Sequence, residues 1–175
     1  MRQGYVRYWM KLQANLNEIW RDGARDRMVM EWKESGPSHQ DGAHQYRFNI
    51  HVRRINDEKL VWQMGGVNYT ETSQEADWSI VTEEEVVVGE WFEIEVFWKQ
   101  GEEDNGRLWL AINGKEVADY QGRLHHVSNP IQNINAWSPF KIYYGERWIK
   151  DDPTVGLYQW VDDIEIWSEP PYPID

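Results

Sequence analysis

Three polar side chains alternate along one short segment, where Arg47, Asn49 and His51 are separated by Phe48 and Ile50. This alternation predicts a β-strand with the three side chains on one face, because successive residues of a strand point to opposite sides. A guanidinium pairs with anions, an amide hydrogen-bonds hydroxyls or carboxylates, and an imidazole carries a proton near neutral pH. The row is the first candidate site, and the alternative interpretation is an ordinary solvated sheet face.

Aromatic residues supply a second group of candidates. The chain of 175 residues contains 12 Trp and 9 Tyr, and we expect most of them to fill the core. Trp9, Trp91 and Trp109 differ, because each opposes the apolar face of its strand. An exposed indole stacks on the apolar C–H face of a sugar ring, so these three are predicted to bind carbohydrate. A second sheet packed on them is the alternative.

The elements that would position these side chains are strands. Period-two alternation recurs over residues 5–12, 46–53, 90–99, 107–112, 115–120, 140–144 and 158–167, and a tight hairpin is expected at Asn113–Gly114. The only helical candidate, residues 12–21, is interpreted as a loop or short turn. Many short strands without crossover helices predict an all-β antiparallel sandwich of the jelly-roll type. We expect one domain over residues 1–175, with a proline-rich tail at 168–175.

Composition restricts the partners. A formal charge of -12 disfavours nucleic acid, anionic membranes and other polyanions, which are bound by clustered Lys and Arg. The absence of cysteine excludes disulfides and thiolate metal sites. No apolar run approaches the ~20 residues of a membrane span, and the first residues lack the apolar core of a signal peptide. We therefore expect no membrane insertion.

Several phrases of the sequence carry a family resemblance. They are Tyr-Trp-Met-Lys-Leu at 8–12, Met-Val-Met-Glu-Trp-Lys at 28–33, Gly-Arg-Leu-Trp-Leu-Ala-Ile-Asn-Gly at 106–114 and Val-Asp-Asp-Ile-Glu-Ile-Trp at 161–167. In this order they resemble the concanavalin A-like jelly roll, and within it the heparin-lyase-I-like polysaccharide lyase family. The likeness spans most of residues 5–167. It implies a glycan partner, an extracellular or cell-surface location and no required cofactor.

The resemblance also implies roles for individual residues. In a lyase, Arg47 would neutralise the uronate carboxylate, His51 would remove a proton and Tyr143 would protonate the leaving oxygen. Glu31 stands where the family has Gln, and we expect it to repel a uronate. The leading hypothesis is therefore noncatalytic binding of a neutral or weakly charged polysaccharide. Glu31, Arg47, Asn49 and His51 would supply hydrogen bonds beside the three tryptophans if their strands are neighbours.

Two alternatives stay open at this point. The first is a polysaccharide lyase that acts by β-elimination. The second is an assembly protein, because relatives have further strands before the segment that begins at residue 5, and an open sheet edge would then allow self-association. Hydrolysis is a weaker third choice: Glu93 and Glu95 offer two carboxylates, but related glycosidases place a third at the position of Trp98.

The acidic residues also admit a metal ion. Asp162 and Asp163 offer hard oxygen ligands of the kind that bind calcium, which jelly-roll relatives hold as a structural ion. Strict alternation assigns Asp162 to the face of Trp160, Ile164 and Ile166. There we expect it to accept hydrogen bonds from backbone near the N-terminal strands, with calcium as the alternative.

Overall fold

The computed structural model describes residues 2–20, 26–34, 45–56, 59–70, 73–127, 134–141 and 156–174. Within these ranges the chain forms one short helix, α1 (Leu16–Ile19), and ten β-strands. The strands are β1 (Gln3–Leu12), β2 (Asp26–Glu34), β3 (Gln45–Ile55), β4 (Lys59–Tyr69), β5 (Gln74–Glu85), β6 (Trp91–Lys99), β7 (Arg107–Ile112), β8 (Lys115–Gln121), β9 (Ile134–Ser138) and β10 (Gln159–Trp167). No described helix has the length and hydropathy needed to cross a bilayer.

The strands form two antiparallel sheets of five strands each. The first sheet has the order β10-β1-β6-β7-β8, and the second has the order β5-β4-β3-β2-β9. The two sheets pack face to face around one apolar interior. The predicted all-β antiparallel sandwich is therefore confirmed.

The core consists of the inward rows of both sheets. On β1, Val6, Tyr8 and Met10 are fully buried, and on β3 the same is true of Phe48 and Ile50. These are the rows that alternation predicts to face inward. Asn113 and Gly114 both adopt positive φ, at 52° and 73°, and form the predicted two-residue hairpin between β7 and β8.

Three described strands are not evident from alternation. β5 carries few apolar residues, and the buried side chains of β4 lie next to one another at Leu60, Val61 and Trp62, which hides the period of two. β9 is also unpredicted. In the segment 140–144, which was expected to form a strand, Phe140 lies in a turn and Lys141 lies outside regular structure, while 142–144 lie outside the described residues.

A β-bulge in β10 corrects the face assigned to Asp162. Trp9 pairs with Asp162 and Arg7 pairs with Glu165, so the one residue of β1 between them opposes two residues of β10. The bulge includes Asp163, whose φ is 49°. Asp162 therefore shares the outer face with Trp160 and Glu165, not the face of Ile164 and Ile166 as strict alternation predicted.

Candidate functional site

The outer face of the second sheet carries a continuous set of polar side chains. Cross-strand pairing aligns Glu31 of β2 with Asn49 of β3, and Lys33 with Arg47. Lys141 follows β9 and is fixed beside β2 by a hydrogen bond of 2.8 Å from its backbone N–H to the Val29 carbonyl. We call this surface the basic face, and its residues are Asp26, Glu31, Lys33, Arg47, Asn49, His51, Arg53 and Lys141.

Glu31 is the centre of the basic face. Its side chain has no solvent exposure, yet three cations surround it. Lys33 Nζ lies 3.4 Å from Oε2, Arg47 Nη1 lies 3.4 Å from Oε1, and Lys141 Nζ also contacts Oε2. A buried carboxylate of this kind is stabilised only by such pairing, because desolvation of an isolated charge is costly. The cations remain 16–33% exposed and can reach a ligand.

The guanidinium of Arg47 is held in place from several directions. It lies 4.3 Å from the centroid of the Tyr69 ring, which is a cation–π contact. Its Nη2 also donates to Gln45 Oε1 at 3.1 Å. Arg47 is therefore oriented before any ligand arrives, which reduces the entropy cost of binding.

His51 and Asn49 continue the row along β3. His51 Nδ1 lies 3.6 Å from Asp26 Oδ1, an ion pair when the imidazole is protonated. Interaction with His51 lowers the pKa of Asp26 below its ordinary value, against the opposing effect of burial, and Arg53 lowers it further. Asn49 is only 7% exposed and lies between Glu31 and Gly65 of the neighbouring strands. The predicted polar row of Arg47, Asn49 and His51 therefore exists as one surface.

The predicted tryptophans lie on the opposite side of the molecule. Trp9, Trp91 and Trp109 are on β1, β6 and β7, all in the first sheet, with their side chains on its outer face. The basic face belongs to the second sheet, so the two sets are separated by the whole core. The condition for a joint site, that the strands of the two sets be neighbours, is therefore not met.

Trp109 also differs from the other two in accessibility. It is 6% exposed, its Nε1 donates to Glu116 Oε2 at 2.9 Å, and it packs in a cluster with Ile174 of the C-terminal tail. Trp9 and Trp91 are 40% and 45% exposed. Trp109 consequently has no free ring face for stacking, whereas Trp9 and Trp91 do.

The remaining carboxylates have local partners. Glu95 is buried and accepts a hydrogen bond from the Tyr5 hydroxyl, and Glu93 lies 3.7 Å from the Arg7 guanidinium. Burial, and then the charge of Glu95, raise the pKa of Glu93. This pair lies on the outer face of the first sheet and is engaged in intramolecular contacts, which fits a structural role better than hydrolysis.

Asp162 and Tyr143 complete the predicted residues. Asp162 Oδ1 accepts a hydrogen bond of 2.9 Å from the backbone N–H of Asp163, its own neighbour and not an N-terminal strand. Among the described residues, no cluster of three or more His, Asp or Glu could hold a metal ion. Calcium binding at Asp162 stays a prediction, for which the described residues supply no set of ligands. Tyr143 lies outside the described residues.

Three cations of the basic face, Lys33, Arg53 and Lys141, were not among the predicted binding residues. Lys33 alternates with Glu31 on β2, so the same rule that revealed Arg47 and His51 could have found it. Lys141 is 110 positions away from Glu31, and no local pattern indicates their contact. Long-range pairing of this kind is decided by tertiary packing.

Comparison with known proteins finds similarity to solved structures alone. No family model and no curated protein sequence matches the chain. Among solved structures, an alginate lyase, Aly36B, in complex with alginate trisaccharide aligns with a TM-score of 0.60 and 14% identity, covering 97% of this chain and 71% of the other. An endo-β-1,4-glucuronan lyase from the fungus Trichoderma reesei gives 0.56 and 10%, covering 96% and 69%. A PL-14 alginate lyase from Aplysia kurodai gives 0.53 and 9%, covering 96% and 70%.

The protein has the sandwich fold of polysaccharide lyases. The fold-level resemblance inferred from the sequence is thus confirmed. Identities of 9–14% carry the fold and not the activity, since one fold supports many functions. Function has to be argued from the basic face itself.

Proposed function

We propose that the protein binds a polysaccharide rich in uronic acids, such as alginate, on the basic face. One observation carries the proposal: three cations surround one buried carboxylate, that of Glu31. Among the described residues, the three cations and the one carboxylate give this cluster a formal charge of +2. A carboxylate on a sugar ring is the ligand group that such an excess attracts.

The acidic character of the whole chain does not oppose this proposal. Charges more than about 10 Å apart are largely screened at 0.1 M salt, so the nearest groups dominate the potential at a binding face. The net charge of -12 therefore misleads when it is taken to disfavour every polyanion. The expectation that Glu31 repels a uronate is revised for the same reason, because its charge is buried beneath three cations.

The structural neighbours support the same class of ligand. Two of them are alginate lyases and one is a glucuronan lyase. Alginate and glucuronan are both polymers of uronic acids. The shared fold and the local cation excess together favour a uronate over the neutral polysaccharide that composition alone suggested.

A second candidate function is β-elimination on the same polymer. It is favoured by His51, which lies 3.6 Å from Asp26 and shares its strand face with Arg47 and Asn49. Imidazole is the side chain that most often serves as a general base. Arg47 and Asn49 would then neutralise the sugar carboxylate while His51 removes the adjacent proton. A carbon–carbon double bond forms as the bond to the leaving oxygen breaks, and that oxygen would take a proton from Tyr143, the acid named in the lyase hypothesis.

Affinity electrophoresis tests the binding proposal. The protein is run in native gels with and without alginate, beside the variants Arg47→Ala and Arg7→Ala. Arg7 is a matched control, because it is a salt-bridged arginine of the opposite sheet. We expect alginate to retard wild type and Arg7→Ala, and Arg47→Ala to lose at least about half of the retardation. Equal retardation of both variants, or none of wild type, would overturn the proposal.

Catalysis is tested with the same samples. Cleavage by β-elimination creates an unsaturated uronate that absorbs ultraviolet light, so a rise in absorbance during incubation with alginate reports turnover. Product from wild type that disappears in His51→Ala would make the protein a lyase. Retention without product would leave it a binding module.

A further inference from the structure

The outer face of the first sheet carries a cluster of exposed aromatic rings. Trp9, Trp91 and Trp160 are 40%, 45% and 45% exposed, and Tyr158 beside them is 59% exposed. The rings of Tyr158 and Trp160 are stacked, with centroids 6.2 Å apart and planes inclined by 26°. We call these four residues the tryptophan platform.

Strand pairing explains why the rings lie together. Lys11 of β1 is directly opposite Trp160 of β10 on one side and Trp91 of β6 on the other. Neighbouring strands are about 4.8 Å apart, so the two indoles are attached roughly 10 Å from each other. Trp9 is two residues along β1 on the same face, roughly 7 Å from Lys11. The platform therefore has about the length of a disaccharide.

The polar groups around the platform are of the kind that bind hydroxyls. Trp9 is flanked by Asp162 on β10 and Glu93 on β6, and Lys11 Nζ lies 5.7 Å from the centroid of the Trp160 ring. Arg7 and Glu165 pair beside them, so three carboxylates face two cations and the local formal charge is negative. An anionic polymer is repelled here, whereas hydroxyl groups can donate to carboxylates and accept from the ammonium.

The exposed aromatic area is small for a protein partner. With about 250 Å² for each large aromatic side chain, the exposed fractions of these four residues correspond to roughly 470 Å². A stable protein interface covers about 800 Å² on each partner. Separate ring faces with a polar border fit a narrow chain that stacks ring on ring better than they fit a protein surface.

We propose that the tryptophan platform is a second glycan-binding site, and that its ligand is a neutral polysaccharide. This site goes beyond the function proposed for the basic face, because it lies on the other sheet and selects a neutral polymer instead of an anionic one. The two sites together would let one domain hold a uronate polymer on one side and a neutral polymer on the other.

Native gels containing hydroxyethylcellulose, a soluble neutral polymer, test the platform. The variants are Trp91→Ala and Trp160→Ala, each with a thermal melt to establish folding. Controls are Tyr172→Ala, which removes another exposed aromatic residue of the first-sheet side, and Arg47→Ala on the basic face. We expect wild type and both controls to be retarded, and each tryptophan variant to bind at least about tenfold more weakly.

The outcomes separate this proposal from the first one. Loss of retardation in the tryptophan variants, with alginate binding unchanged, supports the neutral-glycan site even if Arg47→Ala has no effect on any polymer. Retardation of both tryptophan variants like wild type overturns it, as does no retardation of wild type. A wild-type dimer in sedimentation that both tryptophan variants abolish would also overturn it, since the platform would then be an interface between copies of the chain.

Discussion

Replacement of Glu31 by glutamine should change stability and binding in opposite directions. The substitution preserves the shape of the side chain but leaves Lys33, Arg47 and Lys141 around a neutral amide. Removal of one partner from a buried ion pair typically costs about 3–5 kcal/mol. The three cations are partly exposed and can rehydrate, so we expect a loss near the lower limit, about 3 kcal/mol.

This loss has a measurable equivalent in both assays. For a domain of this size, 1 kcal/mol corresponds to roughly 2–4 °C in Tm, so Glu31→Gln should melt roughly 6–12 °C lower than wild type. Alginate binding should become tighter, because one more unit of positive charge faces the polymer. A charge pair at 4 Å in water is worth about 1 kcal/mol, which corresponds to about a fivefold gain in affinity at low salt.

Glu95→Gln is the matched control for this experiment. Glu95 is also a buried glutamate, but it lies on the other sheet, where it accepts a hydrogen bond from Tyr5. The control should lower Tm without changing alginate retention. Weaker retention of Glu31→Gln at a temperature where it is folded would refute the reasoning, since Glu31 would then position the cations or contact the ligand. An unchanged Tm would refute the ion cluster itself.

Three further predictions concern stability. Burial raises the pKa of the Tyr8 and Tyr46 phenols, so their contribution to the free energy of unfolding is fully present below the unfolded pKa of about 10. Above that pH the contribution is lost, by up to about 1.4 kcal/mol per pH unit for each tyrosine. The Tm should therefore fall as pH rises above about 10, and it should fall less in Tyr8→Phe. Arg27→Met should cost less than about 1 kcal/mol or stabilise the protein, because Arg27 is 1% exposed and only its Nη2 is paired, with Gln159. Burial also lowers the pKa of this guanidinium to about 10. A loss above about 3 kcal/mol in urea unfolding would contradict this prediction. Trp109→Ala should lower the free energy of unfolding by about 3–5 kcal/mol, because Trp109 is buried. Below its melting temperature the variant should bind hydroxyethylcellulose like wild type, and a selective loss of this binding would restore Trp109 as a binding residue.

The sequence was sufficient for the class of fold and for the facing of most predicted strands. Alternation identifies β1 and β3 because each has one buried row and one polar row, as in Val6 and Tyr8 against Arg7 and Trp9. It fails for β4, where Val61 and Trp62 are both buried, and for β5, which is largely polar. These strands are held by their neighbours in the sheet and not by their own pattern.

The sequence predicted which polar side chains share one face of a strand, but not which strands come together to form the site. Arg47, Asn49 and His51 lie on one strand, so a local rule places them together. The separation of Trp9 and Trp91 from that row depends on which strands share a sheet, and the partnership of Glu31 with Lys141 depends on a contact across 110 residues. Such facts follow from long-range pairing, which no local period encodes.

The bulge at Asp163 acts as a spacer that absorbs one extra residue in β10. It keeps Trp160 and Asp162 on the same side as Glu165 and Trp167, although Asp162 and Glu165 are three positions apart, an offset that strict alternation places on opposite sides. Deletion of Asp163 would shorten this offset to two and leave all four side chains on one side of a regular strand, whereas deletion of Val161, outside the bulge, would turn Trp160 to the other side. Because β10 is the edge strand of its sheet, the other four strands would keep their pairing. Gain or loss of a residue at this bulge is thus a change that a sandwich can accommodate while it conserves both its architecture and the outward pattern of its edge strand.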